Sequence, residues 1–173
     1  MKIYNYEVPA VLQHTEPLLV ELEGESIGTV KRVYSNPIKR VIDSTLDYKY
    51  FVKIESEIDG FPKAVCKKIQ RKGKIFFEAK EDGAPIYRIA YTGWKALIPE
   101  VVISNGETML RVDMDRELGS TFTYNEEVVA KWHTSFDDTR NVFIAKFEVE
   151  EDCPIKNPAL LLSIAQAVLF IGA

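Results

Sequence analysis

Histidine and cysteine are the scarcest chemistry-bearing residues of this chain, two of each in 173 residues. His14 and His133 lie far apart, and a metal site needs several ligands converging on one point, so no metal is expected. Neither GxSxG, HExxH, a P-loop nor GxGxxG occurs, which removes the common signatures of hydrolases, zinc peptidases and nucleotide binders. A cationic surplus is also lacking. Lysine and arginine number 22 against 26 acidic residues, giving a net charge of −4. That balance argues against a generic nucleic-acid binder, which must neutralise phosphates. The first twenty residues hold no continuous apolar run, because Glu7, Gln13, His14 and Glu16 interrupt it. No secretory signal is expected, and the cytoplasm is the expected compartment. Cys66 and Cys153 show no CxxC spacing; two reduced thiols are the expectation, with a single disulfide as the alternative.

What is present is alternation. Across residues 48–58, Tyr50, Val52 and Ile54 share one face while Lys49, Lys53, Glu55 and Glu57 share the other. Leu110, Val112 and Met114 oppose Met109, Arg111 and Asp113. Val128, Ala130, Trp132 and Phe136 oppose Lys131, His133 and Ser135. Phe143, Ala145, Phe147 and Val149 oppose Lys146, Glu148 and Glu150. A period of two marks strands with one dry and one wet face, and it favours antiparallel pairing over the continuous apolar runs of buried parallel strands. Glu23-Gly24, Lys72-Gly73, Asp82-Gly83 and Asn105-Gly106 punctuate the runs with residues suited to tight hairpins. Eleven or twelve strands are predicted over residues 1–150 of a single 1–173 domain. Residues 35–46, with Pro37 and the polar cluster Asp43-Ser44-Thr45, are predicted to be a long connection or an edge strand.

Residues 157–173, NPALLLSIAQAVLFIGA, contain no charge. Asn157 suits an N-cap and Pro158 the first helical turn, which predicts a helix over about 157–171. Three places are open to it. A membrane span calls for about 20 apolar residues, more than are available here. A helix lying on a sheet surface needs a wider polar stripe than Ser163 and Gln166 provide. A helix apolar nearly all round is normally buried on every side. Combined with a dozen half-apolar strands, the third place predicts a mainly β fold. The expected architecture is a closed antiparallel β-barrel of about twelve strands around one buried hydrophobic C-terminal helix.

In this order of elements the chain resembles the tubby C-terminal-like superfamily. That group includes plant LURP-one-related proteins, phospholipid scramblases and small bacterial proteins, and the chain resembles a small member of the bacterial type. The resemblance is carried by the early hairpin with Ile27-Gly28-Thr29-Val30-Lys31-Arg32, the alternating mid-chain hairpins and the closing helix over residues 158–171. It implies a twelve-stranded barrel wrapped round that helix. Eukaryotic tubby domains bind phosphoinositide headgroups through surface lysine and arginine residues, but none of those residues can be aligned onto positions here. Scramblase-like members add a calcium site and a palmitoylated cysteine cluster; this chain carries neither pattern.

Several candidate sites remain. Lys63, Lys67, Lys68, Arg71, Lys72 and Lys74 place six cations within twelve residues of a predicted hairpin. They could hold an anionic phospholipid headgroup or a membrane surface, or simply be a solvated face whose lysines discourage edge pairing. Lys31-Arg32 and Lys39-Arg40 could join them in space. Asp113, Asp115 and Glu117 are expected on an outer strand face beside Arg111 and Arg116, and Asp137-Asp138 in a turn. Cys66 is expected to be an inert core thiol. Among Tyr48, Tyr50, Phe51, Phe76, Phe77, Tyr87, Tyr91 and Trp94, Phe51 and Phe76 are expected to look outward. The expected function is therefore a non-enzymatic binding module with no cofactor and no transmembrane segment, meeting an anionic partner through the basic hairpin. The alternative is a protein-interaction scaffold using Phe51 and Phe76. A small-ligand carrier or enzyme would need an open lumen.

Overall fold

In a computed structural model that describes residues 1–92, 100–115 and 119–172, the alternating segments form twelve strands of one closed antiparallel barrel. They are β1 (Lys2–Pro9), β2 (Leu18–Leu22), β3 (Glu25–Arg32), β4 (Lys53–Ile58), β5 (Ala64–Arg71) and β6 (Lys74–Glu81). The second half comprises β7 (Tyr87–Thr92), β8 (Glu100–Ser104), β9 (Met109–Asp115), β10 (Gly119–Tyr124), β11 (Glu127–Asp137) and β12 (Val142–Val149). Each strand pairs with its neighbours in sequence, and β1 closes the ring on β12 from Lys2 opposite Val149 to Pro9 opposite Val142. Closure leaves no unpaired sheet edge among the described residues.

The inner face is filled by alternate residues. Val20, Val30, Ile54, Cys66, Phe77, Ile89, Ile103, Leu110, Val112, Phe122 and Phe147 are all buried. Cys66 points inward beside Ala64 as expected, and both cysteines are buried free thiols. Burial raises the pKa of each. Tight turns join the hairpins, with Glu23-Gly24 and Lys72-Gly73 each carrying two consecutive positive φ angles. Gly28 is required for another reason: a Cβ there would collide with the Glu57 carbonyl oxygen on β4.

Two strand expectations need correction. Val128 is exposed, because a bulge between β10 and β11 pairs Ala130 with Phe122 but Val128 with Thr123. The extra residue, Val129, turns inward in its place. Tyr50 is also exposed: β4 begins only at Lys53, and the alternation holds from Val52 onward. Phe136 keeps the inward parity but lies at the strand end, exposed and tilted against Phe143, with ring centroids 4.8 Å apart. Asp137 ends β11 and accepts from the Thr139 and Arg140 amides, making the expected turn. Asp113 and Asp115 face outward; Trp94, Arg116 and Glu117 lie outside the described residues.

Residues 35–46 are neither strand nor open loop. They hold helix α1 (Pro37–Ser44), whose N-cap Asn36 accepts from the Lys39 amide at 2.9 Å, with Pro37 in the first turn. The same Asn-Pro grammar starts α2 (Pro158–Ile164), where Asn157 Oδ1 accepts from the Ala159 amide at 2.9 Å. Asn157 Nδ2 also donates to the Pro62 carbonyl and the Glu81 carboxylate, tying the start of α2 to β6 and the turn before β5. Beyond Ile164 the helix widens into a π-helical segment, Ala165–Ile171. Every residue from Pro158 to Val168 is buried, and α2 packs against β3, β4, β5 and β6. The Tyr91 hydroxyl donates to the Val168 carbonyl at 3.2 Å, and Phe170 meets Phe143 edge-on at 5.3 Å. No helix among the described residues is long and apolar enough to cross a membrane.

A candidate anion-binding face beside helix α1

The connection between β3 and β4 is built on a buried charge. Asp43, on the inner side of α1, is fully shielded from solvent, as is Arg32 at the end of β3. Arg32 Nη2 donates to Asp43 Oδ2 at 2.7 Å and also reaches the Tyr48 and Phe51 carbonyls. Arg32 Nη1 donates to the Leu12 carbonyl at 2.8 Å. The Tyr34 hydroxyl donates to Asp43 Oδ2, and the Tyr50 and Phe51 amides donate to Oδ1. A buried carboxylate with this many donors is a satisfied one. Its reach fixes residues 45–51, where Asp47 and Tyr48 both adopt positive φ. Burial lowers the Arg32 pKa, against the pull of Tyr34 and Asp43; burial and then the Asp43 hydrogen bond raise that of Tyr34.

The clamp sets one wall of a groove. Tyr34, Lys39 and Phe51 line it from α1 and its flanks, while Lys53, Lys67 and Lys68 line it from β4 and β5. Its described lining has four lysines and no carboxylate. Lys53 and Lys67 sit directly opposite each other across the β4–β5 pair, an arrangement of like charges that is unfavourable without compensation. Partial compensation comes from Glu55, 3.0 Å from Lys53, and Glu78, 3.9 Å from Lys67. Lys68 is half-buried and donates to the Lys49 carbonyl at 2.8 Å. Burial and the nearby Lys49 charge lower its pKa, with Asp43 acting the other way. An ammonium crowded by other cations is one that an arriving anion stabilises. Lys39 Nζ stands over the Phe51 ring at 5.4 Å.

Residues 4–171 match the Tubby C-terminal like domain. The chain belongs to that family. No curated protein and no solved structure matches it.

On this tubby C-terminal-like barrel the six cations singled out from the sequence are divided. Lys67 and Lys68 line the groove. Lys63 lies four residues back, about 13 Å along the strand, where it bridges Glu55 at 2.9 Å and Glu57 at 2.8 Å. Arg71, Lys72 and Lys74 are exposed at the β5–β6 hairpin tip. Of the two doublets that could have joined them, Lys39 does and Arg32 does not, being consumed by Asp43. Lys53 went unrecognised because its strand reads as an ordinary outer face; the signal available was its cross-strand position opposite Lys67. Phe51 and Phe76 are half-buried rather than bare: Phe51 lies under Lys39, and Phe76 under Arg88 at 4.7 Å. His133 sits on β11 opposite Lys146, and no cluster of metal-ligating residues occurs among the described residues.

Proposed function

We propose that this chain is a non-enzymatic binding module, one domain throughout, that takes the phosphate of an anionic phospholipid headgroup in the groove between α1 and the β4–β5 strands. The observation that carries this reading is the convergence of Lys39, Lys53, Lys67 and Lys68 on one groove whose described lining holds no carboxylate. Arg71, Lys72 and Lys74 at the hairpin tip extend the positive field toward an approaching anionic surface. The terminal helix fits the same reading. Its burial, its packing on β3–β6, and its links to β7 and β12 through Tyr91 and Phe170 support a place inside the barrel. A barrel filled in this way leaves its outside as the binding surface, and the chain works in the cytoplasm or peripherally at a membrane.

The test is binding to phosphatidylcholine vesicles with and without phosphatidylserine, across a salt series. Binding should require phosphatidylserine and weaken as salt rises. The Lys67→Gln/Lys68→Gln pair should lose about 2 kcal/mol, or roughly thirtyfold, since each lysine contributes about 1 kcal/mol near an anionic surface. Absent binding, or binding indifferent to salt and to the pair, overturns the proposal.

A further inference from the structure

Helix α1 is built inside out. Its acidic residue Asp43 faces the protein, held by Arg32 and Tyr34, while its aliphatic residues face water. Ile38 and Val41 are each 68% exposed and Ile42 is 44% exposed. Spaced at i, i+3 and i+4, they form one stripe of the helix. Leu46 and Tyr50, also exposed, follow it in the connection. Such a stripe on a surface helix normally faces a core. Here the stripe stays exposed among the described residues; Lys39, Arg40 and Lys49 are interspersed with it in sequence, Lys39 lining the groove and the Lys49 carbonyl accepting from Lys68.

We propose that α1 is a membrane-docking helix, whose Ile38, Val41 and Ile42 enter the headgroup–acyl boundary of an anionic bilayer while the surrounding lysines and Arg40 engage its phosphates. This rests on the anionic-lipid reading of the groove and names how the bilayer itself is met. Charge selects the occupant. A second copy of the chain docking through the same face would bring two sets of cations together, which repel. An anionic bilayer offers negative charge in the plane of the headgroups and an apolar layer just beneath them. Those are the two requirements of an interfacial helix with a cationic border.

The experiment uses the intact chain with two changes that leave the fold untouched, since the altered side chains are exposed. One is Ile38→Cys carrying an environment-sensitive fluorophore; native Cys66 and Cys153 are buried and stay unlabelled in the folded protein. The other is Ile38→Ser/Val41→Ser/Ile42→Ser. With phosphatidylserine–phosphatidylcholine vesicles, the fluorophore should shift to an apolar emission and be quenched by nitroxides on the lipid acyl chains. The triple variant should bind the same vesicles about thirtyfold or more weakly, yet bind soluble glycerophosphoserine as the parent does, followed by NMR shifts of the groove lysines. A fluorophore that stays in water, with vesicle binding unaffected by the triple change, overturns insertion and leaves the groove reading standing. Insertion and vesicle binding that both persist unchanged in Lys67→Gln/Lys68→Gln, with glycerophosphoserine binding also unaffected by the pair, support the helix and overturn the groove. Failure to bind vesicles, with capture of an acidic polypeptide instead, overturns the membrane proposal.

Discussion

Arg32 and Asp43 form a fully buried ion pair, 2.7 Å between Nη2 and Oδ2, that joins the end of β3 to the inner side of α1. This pair organises the face on which the functional proposals rest. It holds the two backbone amides and two carbonyls that shape residues 45–51, and through them the groove wall that carries Phe51.

Removing one partner should therefore be worse than removing both. Asp43→Ala leaves Arg32 charged and buried, an arrangement that costs about 3–5 kcal/mol. The double variant Arg32→Met/Asp43→Ala should recover part of that loss, and a double-mutant cycle by urea denaturation measures how much. Additive losses would show that the two groups are not coupled.

Gly28→Ala tests the closest backbone approach between β3 and β4. The added methyl meets the Glu57 carbonyl and the Ile58 backbone, both of which are fixed by strand pairing. Crowding of this kind typically costs about 1–3 kcal/mol, and chemical denaturation should show a lowered midpoint with the slope unchanged. Gly24→Ala is the comparison: nothing lies within contact distance there, so any loss comes from its positive φ alone.

The two thiols should be silent in the folded protein. Cys66 and Cys153 are buried and their pKa values are raised by that burial, so both access and thiolate are denied to a thiol reagent. Two thiols should titrate with a chromogenic disulfide in denaturant and none in buffer. A consequence follows for alkaline pH. The folded Cys66 thiol holds its proton more tightly than the unfolded one, so its contribution is complete below about pH 8.5 and declines above it. Cys66→Ala should flatten that part of the stability profile; an unchanged slope refutes the assignment.

The barrel was legible because one dry face per strand leaves a period of two that survives in the sequence. It failed where the pairing itself departs from regularity. The bulge at Val129 flips Val128 outward, and no residue-level pattern announces it. α1 escaped for a different reason. Its cap, Asn36-Pro37, is as explicit as Asn157-Pro158, but its aliphatic stripe faces away from the protein and its aspartate faces in. Periodicity locates the stripe without saying which side of it is wet. The groove was half visible: Lys67 and Lys68 lie in the basic run, whereas Lys39 and Lys53 arrive from 28 and 14 residues before Lys67. Clustering along the chain records neighbours in sequence, and a strand then spreads them by about 3.3 Å per step.

Ring closure has a kinetic corollary. β1 can pair with β12 only after some 140 intervening residues exist, and α2, which packs against β3–β6, is made later still. During synthesis on the ribosome the early hairpins therefore emerge with their dry faces uncovered. So large a share of distant pairings slows folding and lengthens that exposure. Until its last helix arrives, the nascent barrel therefore exposes the kind of apolar surface that chaperones shield.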